Sequence, residues 1–379
     1  MRASLHIMTV LLAATGCSAG SPITKDQLGR LVFADTNLSS PAGQACADCH
    51  TARVAFRDPE SSRTTSMGAV PGQFGVRNAP TAMYARYVPP LHVDDRDRRW
   101  IGGLFWDGRA NTLEVQASGP LLNPLEMNNP DKASVVATVR RAGYASGFRE
   151  LFGPHALDDV DTGFAHVTEV LAAFERTAMF APFSSKYDRY LAGETTLGDA
   201  EQRGLAIFED PARGNCAGCH PSRAGPDGSP PLFTDFSYAN LGIPKYMNNK
   251  FYLQPPALNP EGERYLDHGL MATVGDAAQD GMFRVPTLRN VLATPPYGHN
   301  GYFENLPYLL DFLNTRDIGS TAVGTCSRTR APARCGWPGA EVPATKDRRI
   351  GHLGLTEQDL DDLIAFLSTL SDAEPRASR

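Results

Sequence analysis

The chain has 379 residues, 42% of them hydrophobic and 21% charged, a balance that excludes a disordered or fibrous protein. Its formal net charge of −6 comes without any basic stripe, so nothing points to nucleic acid as a partner. The length suggests two domains, and the chain contains seven cysteines whose spacing says more than the composition does.

In chain order, residues 1–20 read as a segment outside the fold. Arg2 precedes an apolar run from Ile7 to Ala14, too short to span a bilayer, and Thr15–Gly16–Cys17 follows. Residues 1–16 are the expected export signal, of lipoprotein type, with Cys17 lipidated; an ordinary signal peptide with a coincidental cysteine is the alternative. The expected location is the periplasm, with membrane contact only through the lipid. Asp26–Phe33 has apolar residues at helical spacing and leads to Cys46–Ala47–Asp48–Cys49–His50. Gly/Pro-rich loop fills 58–80, and helices are predicted at 132–142 and 164–178. Ser184–Ser185 and Gly193 interrupt the helices near 184–198, which is the predicted domain junction. A further helix over 200–208 leads to Cys216–Ala217–Gly218–Cys219–His220. After loops at 221–232 and 253–262, helices are predicted at 304–314 and 356–370, the last with Thr356 as N-cap and Asp359 three positions on. No alternating strand pattern stands out. Cys326 and Cys335 bracket a Gly/Pro/Arg-rich loop, where an oxidising compartment favours a disulfide over two free thiols.

Cys-x-x-Cys-His is the attachment pattern of c-type haem. The two thiols add across the vinyl groups, and the adjacent histidine is held beneath the iron, which imidazole suits. A zinc ribbon would also use paired Cys-x-x-Cys, but a histidine after each pair in an exported chain favours haem. Both motifs follow a similar stretch, Asp26–Phe33 and Ala200–Phe208, which points to an internal duplication. The expected fold is therefore mainly α, with two cytochrome c-like haem domains in one chain, 24–185 and 198–370.

The chain resembles the bacterial di-haem cytochrome c peroxidases and their MauG-like relatives over about residues 24–370. The resemblance rests on Gly102–Ala110 (GGLFWDGRA), Asn123–Met127 (NPLEM), Arg284–Val291 (RVPTLRNV) and Thr294–Gly301 (TPPYGHNG), together with the paired haem motifs. It implies a peroxidase-class oxidoreductase that reacts with hydrogen peroxide at the first haem and passes electrons through the second. It further implies that Trp106 relays electrons between the haems, and that Glu126 is the acid/base of the peroxide pocket. Pro120 would be a wall of that pocket and Gln116 a polar neighbour. Asn78, Thr294 and Pro296 match the positions that hold a calcium ion through a side-chain oxygen and two backbone carbonyls, donors that suit the ion. The implied partner is a small cytochrome c or cupredoxin as electron donor, or a protein substrate that the enzyme oxidises.

Two departures bear on the branch of the family. No histidine lies between His50 and His92 to close the first haem, so that haem is read as open, with Met67 as the other ligand to consider. At the position where the family has Met or Tyr stands Leu313, which cannot bind iron. Met271, Met282 or Tyr308 would then substitute, or the second haem is five-coordinate. His299 reads as a residue that orients the carbonyls of the calcium loop. The alternative to an enzyme is a non-enzymatic electron-transfer cytochrome with both irons closed.

Overall fold

The computed structural model describes residues 22–60, 64–225, 228–318 and 336–372. The predicted signal, Cys17, and the Cys326–Cys335 pair lie outside them. Eleven α-helices are found among the described residues: α1 Lys25–Phe33, α2 Cys46–Cys49, α3 Leu113–Leu122, α4 Lys132–Arg141, α5 Ala145–Phe152, α6 Val160–Glu175, α7 Lys186–Leu191, α8 Asp199–Glu209, α9 Met271–Val274, α10 Leu306–Thr315 and α11 Glu357–Ser368. Strands are few and only two residues long, β1 His92–Val93 with β2 Trp100–Ile101 and β3 Tyr238–Ala239 with β4 Phe283–Arg284, both antiparallel.

The helix starts are set by side-chain caps. Thr24 accepts from the Gln27 amide while Gln27 reaches back to the Thr24 amide, a reciprocal box that starts α1. Thr356 and Asp359 do the same for α11. α1 lies against α6, and α8 against α11, each through a glycine. A Cβ on Gly29 would stand 1.8 Å from the Val170 carbonyl oxygen, and one on Gly204 1.9 Å from that of Asp362. Only glycine lets the backbones come so close, and the repeat of the device makes the duplication visible in space.

Each helix pair organises its own apolar core. One contains Leu28, Val32, Phe33, Phe148, Val167, Leu171, Phe174 and Phe180. The other contains Ile207, Phe208, Phe233, Phe303, Phe312, Leu363 and Phe366. The seam between them is polar and fully paired. Arg289, 1% exposed, grips Asp188 through two bonds of 2.7 and 2.9 Å. Asp372 accepts from the Tyr84 hydroxyl (2.6 Å), the Asn290 amide (2.8 Å) and the Ser184 backbone (2.8 Å).

Five helices go beyond the sequence reading: α2, α3, α5, α7 and α9, of which α7 sits inside the predicted junction 184–198. Ser185 does not break the chain there; it caps α7 in a box with Asp188. Among the described residues no helix is long and apolar enough to cross a membrane.

Candidate active site

Two cavities lie side by side, one fronted by each Cys-x-x-Cys-His segment. The first, about 350 Å³, is lined by Cys46, Cys49 and His50 and also by Met67, Trp106, Gln116, Pro120 and Glu126. The second, about 300 Å³, is lined by Cys216, Cys219 and His220 together with Asn78, Trp106, Thr294, Pro296 and Leu313. Both fall in the size range of cofactor pockets.

The attachment segments are tight turns. Asp48 accepts from the Ala45 amide (2.7 Å) and closes the single turn of α2. His50 donates through Nδ1 to the Phe56 carbonyl (2.9 Å), and His220 donates likewise to that of Phe233 (2.7 Å). That bond fixes the tautomer and leaves Nε2 as the free lone pair, the usual arrangement of a metal-binding imidazole. Burial pushes both histidines below their ordinary range, so they stay neutral, as ligands must. Burial pushes Cys46, Cys49 and Cys216 up to about 12, which keeps them uncharged thiols.

Among the described residues no three His, Cys, Asp or Glu side chains are grouped so as to hold a metal ion. The donor set fits haem: two thiols and one histidine on the wall of each cavity. Arg284 fits it too. It lines both cavities, and its Nε donates only to the Phe105 carbonyl (3.2 Å). Burial pushes it below its usual range, and no carboxylate pairs with it among the described residues. A cation left so between two cavities suits a cofactor that carries propionates.

Glu126 is placed by the turn after α3. Asn123 donates from Nδ2 to its Oε1 (2.6 Å), while Asn123 Oδ1 accepts from the Leu125 amide (3.0 Å). The Glu126 carbonyl accepts from the Ala69 amide (2.7 Å), tying the 66–75 loop to the same place. Burial raises the Glu126 carboxyl above its ordinary range, and Asn123 opposes this. Gln116 and Pro120 lie on α3, one turn apart on the face toward the cavity. His50 is the only histidine among the described residues that line it.

Trp106 faces both cavities. Its Nε1 donates to the Asn78 carbonyl (2.8 Å), and its own carbonyl accepts from the Arg284 amide (2.8 Å). The loop that carries it is strained: Phe105 has φ +65°, a conformation that disfavours a bulky side chain. Arg109 holds it there, stacked over the Phe105 ring at 3.7 Å and paired with Asp107 at 2.8 Å. Asp107 in turn pairs with Arg77 (2.7 Å), which also grips Asp267 (2.7 Å) and holds its carboxyl down at about 2.

Asn78 and Pro296 come together, and Thr294 lines the same wall. The Asn78 amide presents Nδ2, not oxygen, to the Pro296 carbonyl (2.7 Å) and the Gly298 carbonyl (3.4 Å). Turning the amide over exchanges nitrogen for oxygen with little movement of other atoms.

Two expectations need correction. Met271, Met282 and Tyr308 do not line the second cavity, because Met282 pairs through its backbone with Leu270 and Tyr308 packs with Tyr302, Phe303 and Trp337. Met83 and His299 line it instead. The His299 ring orients no carbonyl: it stacks on Phe283 at 3.6 Å, and neither nitrogen has a hydrogen-bond partner. Only its backbone carbonyl serves the loop, accepting from the Asn78 amide (2.8 Å). Glu175, which also lines the first cavity, drew no notice in the sequence because it falls in a helix with no motif around it.

Comparison with known proteins agrees with this geometry. The profile of the di-haem cytochrome c peroxidases matches residues 24–196. The methylamine utilization protein MauG of Paracoccus denitrificans is 38% identical, covering 98% of this chain and 95% of its own. The cytochrome c551 peroxidase of Nitrosomonas europaea is 30% identical over 79% of this chain and 75% of its own. Among solved structures, the di-haem peroxidase BthA of Burkholderia thailandensis superposes with a TM-score of 0.75 at 34% identity, covering 93% of this chain and 87% of that one. A MauG-like protein associated with microbial copper homeostasis gives 0.67 at 32% identity, over 93% and 92%. Paired haem-attachment motifs on adjoining cavities, in a chain this similar to both branches, make it a member of the di-haem cytochrome c peroxidase and MauG family of oxidoreductases.

Proposed function

We propose that the protein is a periplasmic di-haem enzyme that turns over hydrogen peroxide in the first cavity and passes electrons through the second, with Trp106 between them. The observation that carries this reading is the gathering of Glu126, Gln116 and Pro120 around the same cavity as Cys46, Cys49 and His50. Haem, when attached, supplies an iron that binds peroxide and exchanges single electrons. The chain supplies position and proton movement. His50, fixed by the Phe56 carbonyl, offers Nε2 on one side of the cavity. Glu126 takes the proton from the inner peroxide oxygen and delivers it to the outer one. Asn123 holds the carboxylate for that transfer. Pro120 and Gln116 shape the pocket around the peroxide.

Residues 24–185 and 198–370 are read as the two haem domains, which the two separate apolar cores support. Calcium is assigned to Asn78, Thr294 and Pro296, with the amide turned to present its oxygen. Lipidation of Cys17 and a Cys326–Cys335 disulfide complete the exported protein. A first cavity with no second histidine, together with the likeness to MauG, favours oxidation of a protein substrate over peroxide removal fed by a small cytochrome or cupredoxin.

Low-temperature EPR of the diferric protein, followed by rapid mixing with peroxide, tests the reading. The expected result is a high-spin iron whose signal peroxide removes within the mixing experiment. Two low-spin irons and an unchanged spectrum after peroxide would refute it.

A further inference from the structure

The duplication lets the two halves be compared position by position. Gly29 meets Val170 and Phe174 where Gly204 meets Asp362 and Phe366. In the same alignment Leu171 matches Leu363, and Glu175 matches Leu367. Each of these pairs lines its own cavity. The second half therefore closes this edge with two leucines, 1% and 4% exposed, whereas the first half puts a carboxylate there, 9% exposed. Burying a carboxylate where leucine packs well is unfavourable unless something uses it.

Nothing described uses it in the protein alone. No hydrogen bond or ion pair reaches the Glu175 carboxylate among the described residues. The charged groups on the helices packed against it have other partners or are exposed, and Arg284, on the same cavity, donates through Nε to the Phe105 carbonyl (3.2 Å). Arg176 turns outward to Glu114 of α3 (2.6 Å), and Lys25 of α1 goes to Glu169 (2.5 Å). Arg30 of α1 is exposed, and Asp26 accepts from the Thr24 hydroxyl. On α4, Lys132 pairs with Asp161 (2.6 Å) and Arg140 with the Leu157 carbonyl (2.6 Å). Asp48 of α2 is taken by the Ala45 amide, and Glu126 on the same cavity by Asn123.

We propose that Glu175 is the proton acceptor coupled to electron uptake at the first haem. When the ferric iron gains one electron from the redox partner, Glu175 gains one proton from solvent and becomes the neutral acid; reoxidation releases both. The inference rests on assigning the cavity of Cys46, Cys49 and His50 to a haem. The driving force is electrostatic: reduction removes a positive charge beside the carboxylate, so its anionic form becomes less favourable. Burial already pushes Glu175 up to about 7, so the change acts at neutral pH. The exposed Glu114–Arg176 pair at the end of α6 marks the way to solvent. At the matching position the second half has Leu367, so no carboxylate stands there beside the second haem.

Spectroelectrochemical titration of the holoprotein above and below about pH 7 reads this directly. The first-haem potential should fall as pH rises, approaching about 59 mV per pH unit, the one-electron equivalent of a tenfold change in proton concentration. The second-haem potential should stay flat. Glu175→Gln, nearly isosteric, and Glu175→Leu, which copies the second half, should both abolish the slope at the first haem and leave the second unchanged. A slope that survives in both variants, or is absent from the wild type, overturns the proposal. A pyridine haemochrome spectrum on the same samples counts the attached haems, so a chain carrying fewer than two overturns the cofactor assignment instead. Unfolding midpoints close to wild type identify variants that fold.

Discussion

Under the proposed function, replacing Glu126 by glutamine removes the proton-moving group and keeps its shape. Its Oε1 keeps the bond from Asn123 Nδ2, 2.6 Å in the wild type, so the Asn123 donor keeps its partner. Burial holds the Glu126 carboxyl above its ordinary range. A folded-state value raised above the unfolded one means that the anion is the costly form. Stability is then lost as pH rises through that interval, and the glutamine variant escapes the loss. The variant should melt at or above the wild-type temperature near neutral pH. Its chemistry should suffer instead. General acid–base catalysis contributes about 10²- to 10⁴-fold, equivalent to roughly 3–5 kcal/mol of barrier at about 1.4 kcal/mol per decade. The bimolecular rate constant with hydrogen peroxide, followed at the Soret band by stopped flow, should drop by that factor. The pH profile adds a second reading. The carboxylate must be charged to accept the first proton, so the wild-type rate should fall as pH is lowered through the raised value. The variant should be flat across the same window. A glutamine variant within about threefold of wild type, well short of the smallest expected effect, or one that keeps the acid limb, would refute the role given to Glu126.

Other consequences follow from packing and ligand chemistry. Arg289→Met strands Asp188 at the seam and should cost about 3–5 kcal/mol, read as a lower midpoint in guanidinium; an unchanged midpoint would show that the pair does not hold the halves together. Gly29→Ala and Gly204→Ala each drive a methyl into a carbonyl and should separately destabilise by about 1–3 kcal/mol or more, measured by thermal unfolding. Leu313→Met keeps the side-chain volume and faces a thioether to the second cavity. It should convert a second haem that lacks a sixth ligand to low spin and raise its potential, whereas an unchanged EPR spectrum would show that another group already occupies that position.

The amino-acid sequence makes the attachment motifs and the flanking helices readable because their signals are local. α1, α8 and α11 have apolar residues at helical spacing, and Thr356 with Asp359 marks a helix start without any tertiary information. α3 is different. It carries Gly119 and Pro120, and its apolar residues, among them Val115 and Leu122, are spread around the helix rather than along one stripe. Its helical state comes from packing against α6. α7 did announce itself through the Ser185–Asp188 box, but consecutive serines beside a glycine-containing stretch read equally well as a break. Pairing of Asn123 with Glu126 is local, three residues apart, so the placement of that carboxylate was within reach of the motif. The position of His299 was not. Which way its ring turns depends on Phe283 and Glu341, distant in the chain, and no periodicity reports such contacts.

A duplicated frame gives a physical reason for the unequal residues to carry the proposed chemistry. Glycine crossings, histidine-to-carbonyl bonds and Cys-x-x-Cys-His turns recur in both halves, so they serve what both halves do, which is to seat a haem. What differs between the halves cannot be explained by that shared task. On the first cavity the differences are Glu126, Gln116 and Glu175, all polar and two of them proton carriers. On the second they include Leu367, at the position matching Glu175, and Leu313. Moving protons needs groups that exchange them, while moving electrons is served by a dry, rigid wall that changes little between oxidation states. Under the proposed function Glu126, Gln116 and Glu175 stand beside the iron that would meet peroxide, and Leu313 and Leu367 beside the iron that would relay charge. Trp106, the large aromatic ring common to both walls, is held from two sides by the backbones of Asn78 and Arg284, where under the proposed function a fixed ring would give the electron a short path between the unequal halves.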